Sequence, residues 1–71
     1  DYARALQGSD VGVVFKQQAP RYWSVSLRST KIDVSQVAAA LGGGGHIPAA
    51  GYSATGNLDQ ITRDLLQALP E

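Results

Sequence analysis

Hydrophobic and polar residues alternate from Asp10 onward, so that Val11, Val13 and Phe15 point to one side of a strand and Gly12, Val14 and Lys16 to the other. The residues are mostly β-branched or aromatic, as a half-buried strand prefers. Ala19-Pro20 interrupts the run, and a proline cannot donate to a ladder, so the chain turns there. A second alternating run sets Trp23, Val25 and Leu27 on one face and Tyr22, Ser24, Ser26 and Arg28 on the other. The period then lengthens. Asp33-Val34-Ser35-Gln36 has the form of a capping box, and Val34, Val37, Ala38 and Leu41 follow at helical spacing. Gly42 stands where a left-handed residue would close that helix. Asn57-Leu58-Asp59-Gln60 repeats the start signal; Leu58, Ile61, Leu65 and Leu69 line one face, and Pro70 ends it. Between the helices, Ala49 to Thr55 fits a short third strand. Ahead of the first strand, Tyr2 and Leu6 lie four apart and suggest one or two weak helical turns over residues 1–9.

This pattern predicts one α+β domain over residues 1–71, in the order β-β-α-β-α. Helices over residues 34–41 and 58–69 pack on one face of a short mixed sheet of three strands or slightly more. Val13, Phe15, Trp23, Val25, Leu27, Val37, Leu41, Ile61 and Leu65 form the expected core. Composition adds limits. Seventy-one residues, 44% of them hydrophobic, make a thin-cored but foldable domain. Six basic and six acidic residues balance, which speaks against binding long nucleic acid by bulk charge. No apolar run approaches the roughly 18 residues of a membrane span. There is no cysteine, hence no disulfide framework and no thiolate site. There is no methionine either, and we read the chain as a fragment of a longer protein.

Gly42 to Gly45 are four consecutive glycines. At an average usage of about 7%, such a run would arise by chance in roughly 0.2% of chains this long, so it calls for a cause. Glycines accept positive φ and let bare amides approach a ligand, and successive amides can cup anionic oxygens. The run follows a helix C-terminus, where the macrodipole opposes an anion. It also lacks the Gly-Lys-Ser/Thr ending of a Walker loop and the strand–glycine–helix setting of a dinucleotide fingerprint. Positive charge must therefore come from side chains, and His46 and Arg28 are the candidates. Each also has an ordinary reading: a loop histidine bonded locally, a solvated strand-end arginine. Trp23 and Tyr52 read most simply as core aromatics. One histidine, no cysteine and carboxylates tied to caps supply neither a metal cluster nor a nucleophile–base pair. On these residues the chain is a binding module.

The series Ser26-Leu27-Arg28-Ser29, Asp33-Val34-Ser35, Gly42-Gly43-Gly44-Gly45-His46 and Ala49-Ala50-Gly51 resembles the C-terminal DHH-associated domain of DHH-family phosphoesterases. The resemblance runs from about residue 11 to residue 56, and its glycine–histidine segment is the most specific part. Within the family, the Ser-Leu-Arg-Ser strand ending is most similar to the nanoRNase and pAp-phosphatase group. The resemblance implies an N-terminal DHH domain in the same chain that holds two manganese ions, with no cofactor and no catalytic residue in this part. It also implies a cytoplasmic, homodimeric hydrolase acting on short RNA, on linear or cyclic dinucleotides such as those from c-di-AMP, or on pAp. The substrate's phosphate or nucleotide end would be gripped by Arg28 with Ser26 beside it, by His46, and by amides of Gly43, Gly44 and Gly45. Related domains occur in single-strand exonucleases and in the C-terminal region of alanyl-tRNA synthetase. A mainly structural or dimerising role, with the glycines as a hinge, stays open too. Zero net charge favours the short substrates.

Overall fold

The structure, a computed structural model, describes residues 2–5 and 11–70. Strand β1 (Tyr2–Ala5) is followed by β2 (Val11–Ala19), β3 (Tyr22–Ser29), helix α1 (Val34–Ala40), β4 (Gly44–His46), β5 (Ala49–Thr55) and helix α2 (Leu58–Ala68). Both long strands form where alternation required them, in the expected register: Phe15 lies opposite Val25 and Val13 opposite Leu27. The side chains of Phe15, Val25 and Leu27 are fully buried. Burying each contributes about 1.5–3 kcal/mol, so this face fixes the register against a one-residue slip.

Both helices lie on that same face. Val34, Val37 and Ala38 of α1 and Ile61 and Leu65 of α2 close the core with Trp23, Val11 and Tyr52. Leu41, expected inside, is half-buried and packs against its edge. Each helix is one residue shorter than its apolar stripe suggested, the usual uncertainty at a frayed end. The caps work as their residue types require. Asp33 accepts the Ser35 amide at 3.0 Å and the Ser35 hydroxyl, and the hydroxyl is the main reason its carboxyl sits below the ordinary range. Asn57 accepts the Gln60 amide at 2.8 Å.

The α+β class and the one-sided helices stand as expected, but the sheet differs in three respects. It has five strands in the order β1-β2-β3-β5-β4, and every pair is antiparallel rather than mixed. Residues 2–5 form a strand instead of a helical turn, with Tyr2 opposite Phe15 and Ala5 opposite Gly12. A nine-residue helix is too short to overcome its nucleation cost alone, whereas β2 offers a free edge with ready hydrogen-bonding groups. Residues 6–9 of the expected helix lie outside the described residues. The third difference is β4, built from the glycine run itself.

Tyr52 is buried on the inner face at 8% exposure, and its hydroxyl has no hydrogen-bond partner among the described residues. Burial, with a smaller contribution from the nearby Asp64 carboxylate, pushes the phenol up to about 12. A group with a raised folded-state pKa stabilises the fold fully below its unfolded value of about 10, and that contribution is lost as pH rises through the folded value. Thermal stability should therefore fall between about pH 10 and 12 as Tyr52 ionises. Tyr52→Phe should remove that alkaline step and, by deleting an unpaired buried hydroxyl, leave the melting temperature at pH 7 unchanged or higher. Melts at a series of pH values test this; a Phe variant that melts lower at pH 7 would show that the hydroxyl finds a partner in solution.

Candidate phosphate-binding face

The helices leave the other face of the sheet uncovered, and strand register decides what lies on it. Arg28 pairs with Gly12 on one side and Ala49 on the other, and Ala49 pairs with His46. Gly12, Arg28, Ala49 and His46 thus form one row across four strands on the open face. The next row is Val14, Ser26, Gly51 and Gly44. Arg28 and His46 stand two strand spacings apart, about 9–10 Å between backbones, with only the Ala49 methyl between them. Both are exposed. Among the described residues Arg28 has no ion-pair partner. The extended guanidinium and the imidazole can therefore converge above Ala49 on a single anion, beside the bare backbone of Gly44 and Gly51 and the Ser26 hydroxyl.

Local structure holds this arrangement. The β4–β5 connection is tied down at both of its residues: Ser29 donates its amide to Pro48 O at 3.1 Å, and Val34 donates to Ile47 O at 3.1 Å. The Ser29 hydroxyl accepts the Lys31 and Ile32 amides at 3.1 and 2.9 Å, which shapes the chain as it leaves β3 just past Arg28. A depression of about 410 Å³ bounded by Arg28, Ser29, Thr30 and Pro48 opens at this end of the sheet.

The four glycines do four different things. Gly42, at φ +91°, is the left-handed cap of α1 and donates to Ala39 O at 3.1 Å. Gly43 donates to Ala38 O at 2.8 Å; together these are the two bonds of a Schellman motif. A Cβ on Gly43 would stand 2.1 Å from Gly51 O, and one on Gly45 would stand 2.5 Å from Ala50 Cα, with φ at +147° besides. Those two positions are glycine because β4 presses against β5. At Gly44 a Cβ would meet nothing within 4 Å and φ is not positive. No demand of the chain's own packing explains a glycine there, and it lies on the open face in the row next to Arg28 and His46.

Of the six residues expected at the site, Ser26, Arg28, Gly44 and His46 share this surface. Gly43 has its amide already committed to the helix cap, and Gly45 turns the opposite way. Cap bonds from Gly42 and Gly43 and the pairing of Gly44 and Gly45 with β5 tie the run down at each residue. Ala49 and Gly51 belong to the floor; their place was hidden because the strand opposite them was read as loop. The alternating Gly44-x-His46 spacing was the one signal that could have shown it.

Charge is sorted by face. The described carboxylates, Asp33, Asp59 and Asp64, sit on or at the start of the helices, and none of the five strands contains an Asp or Glu. Lys16, Arg28 and His46 lie on the open face. Among the described residues no three His, Cys, Asp or Glu come together to hold a metal ion, and no helix is long and apolar enough to cross a membrane.

Arg28 and the Gly-Gly-His edge are the residues that the resemblance to a DHH-associated domain singled out, and the structure puts them on one open antiparallel face. Sequence comparison agrees. The chain matches the DHHA1 domain over residues 1–71 and belongs to that family, the accessory domain of DHH-family phosphoesterases. It is also similar to the bifunctional oligoribonuclease and PAP phosphatase NrnA of Thermus thermophilus, 39% identical over 70 residues that cover 96% of this chain. The chain spans about a fifth of that relative's length, 21%.

The separate roles of the glycines can be tested. Gly45→Ala forces a methyl against Ala50 and a left-handed backbone on a substituted residue, and should cost on the order of 1–3 kcal/mol of stability. Gly44→Ala should melt within about 0.5 kcal/mol of the parent. Comparable losses in the two variants, by denaturant unfolding, would mean that β4 is not seated as described.

Proposed function

We propose that this domain holds the phosphate or nucleotide end of a short phosphoester substrate for a DHH-type catalytic domain in the same polypeptide. Oligoribonucleotides of a few residues, linear or cyclic dinucleotides, and pAp are the substrate class. The observation that carries this reading is the pairing of Arg28 and His46 across Ala49, beside a Gly44–Gly51 floor with no carboxylate in any strand. Arginine offers a permanently charged fork matched to phosphate oxygens, and neutral histidine donates one N–H. Ser26 adds a hydroxyl within the adjacent row. A Cβ at position 44 would hold a ligand off the strand, which gives that glycine its purpose.

The same reading includes manganese, which would supply an activated water and charge neutralisation in phosphoester hydrolysis. Among the described residues no three His, Cys, Asp or Glu come together as a ligand set, and the reading gives the metal to the catalytic domain. What this chain contributes is binding and orientation: it fixes one end of the substrate so that the scissile bond is presented elsewhere. A homodimeric, cytoplasmic parent belongs to the same reading. The name of the Thermus relative supports the oligoribonuclease and pAp side of it over the exonuclease and synthetase settings.

In the full-length protein, Arg28→Ala and His46→Ala should each remove a charge-assisted or phosphate-facing contact worth roughly 1.5–3 kcal/mol, raising KM for a dinucleotide or pAp about ten- to a hundredfold. Arg28→Lys should recover only part of the loss, because it keeps charge without the fork. Melting temperatures and manganese binding should stay near the parent values. The 71-residue chain alone should show no turnover with manganese. Steady-state kinetics alongside thermal melts decide the matter, and unchanged kinetics in both alanine variants would return Arg28 and His46 to the status of surface groups.

A further inference from the structure

The open face does not end at the Arg28–His46 row. Tyr22 begins β3 on the same side as Arg28, six residues away or about 20 Å along the strand. Lys16 pairs with Ser24, placing it diagonally beside Tyr22 and about 13 Å from Arg28 along the sheet. Both side chains are exposed, Tyr22 by 44%, and Lys16 has no ion-pair partner among the described residues. Between the two ends lie only short side chains, Ser24, Ser26, Ser53 and Gly51, with Val14 at 42% exposure beside them. An exposed aromatic next to an unpaired cation, joined to a phosphate-binding row by a flat floor, is the surface a single-stranded nucleic acid uses: bases stack on the ring while the backbone follows the positive charge. A protein partner would more commonly meet a wider apolar patch.

We propose that Tyr22 and Lys16 form a second subsite, in which Tyr22 stacks a base and Lys16 meets a phosphate of the same oligonucleotide whose end is held by Arg28 and His46. This rests on the phosphate-grip reading above and extends it to substrate length. At about 3.4 Å per stacked nucleotide, 20 Å accommodates at most about six nucleotides, and fewer when the strand is extended. A dinucleotide held at Arg28 does not reach Tyr22. The subsite thus favours substrates of several nucleotides over dinucleotides and lends nothing to pAp.

The test compares full-length protein with its Tyr22→Ala, Tyr22→Phe and Lys16→Ala variants for binding to labelled di- and hexa-adenylate in metal-free buffer, by fluorescence anisotropy. Tyr22→Ala and Lys16→Ala should weaken the hexamer roughly fivefold or more while changing the dimer less than about twofold, and Tyr22→Phe should bind as the parent does. Lys16→Ala should also lower the salt dependence of hexamer binding by about 0.7 in log–log slope, as loss of one phosphate contact predicts. Equal effects on the two lengths, or none on either, with dimer binding still dependent on Arg28, would overturn the second subsite and leave the first standing. A parent protein that binds neither oligomer would remove both.

Discussion

The structure turns on how closely the backbone of β4 can approach β5. A Cβ at Gly43 or Gly45 would lie well inside contact distance of Gly51 O or Ala50 Cα, so those two glycines set the spacing at which the last strand can pair. That pairing brings His46 opposite Ala49 and hence into line with Arg28. Without it the histidine would sit in a loop with no fixed relation to the arginine. The Schellman bonds from Gly42 and Gly43 deliver the chain from α1 to β4 with the right direction, and the Ile47-Pro48 clamps hold its far end. Glycine is a poor strand former by propensity, yet here it is the one residue the packing accepts.

Net charge describes this domain badly. Six positive and six negative residues sum to zero, but the described acids cap or line the helices while the open face carries Lys16, Arg28 and His46. Among the described residues, an anionic ligand near the sheet would meet positive side chains and no carboxylate on that face. Local potential, rather than total charge, governs encounter and orientation. Zero net charge disfavours a long continuous nucleic-acid track and sets no such limit on a short one.

Much of this was legible in the sequence. The period-two runs of β2 and β3 placed their core residues correctly because β-branched and aromatic side chains coincide there with alternation. Both helices announced themselves through Asp33 and Asn57, whose side-chain bonds form as expected. What escaped is what depends on distant partners. Tyr2–Ala5 carries no strong local preference and becomes a strand only because β2 has an edge to fill. Gly44–His46 reads as loop by every local scale. The order β3-β5-β4, with β5 inserted between its predecessors, follows from tertiary pairing alone. The site shared that fate in part. Arg28, His46 and Ser26 could be named, but the division of the glycines into packing residues and one on the open face with no packing demand needed the strand register.

The inserted position of β5 has a thermodynamic consequence. Arg28 stands on β3 and His46 on β4, and neither touches the other's strand except through β5, which must first bridge residues far apart in the chain. The proposed binding surface is therefore absent from any partly folded form in which β4 is detached, even if the hairpin of β2 and β3 and the helical core persist. Opening of this edge, a local event that can be far less costly than global unfolding, would release a ligand and expose the strand beneath. Under the proposed function, a bound phosphoester would work the other way: it would favour only the fully zipped sheet and so raise the free energy of fraying by mass action, in proportion to the logarithm of its concentration. Occupancy and order at the β4 edge are two readings of one equilibrium, and amide exchange at Ala50 and Gly51 would report both.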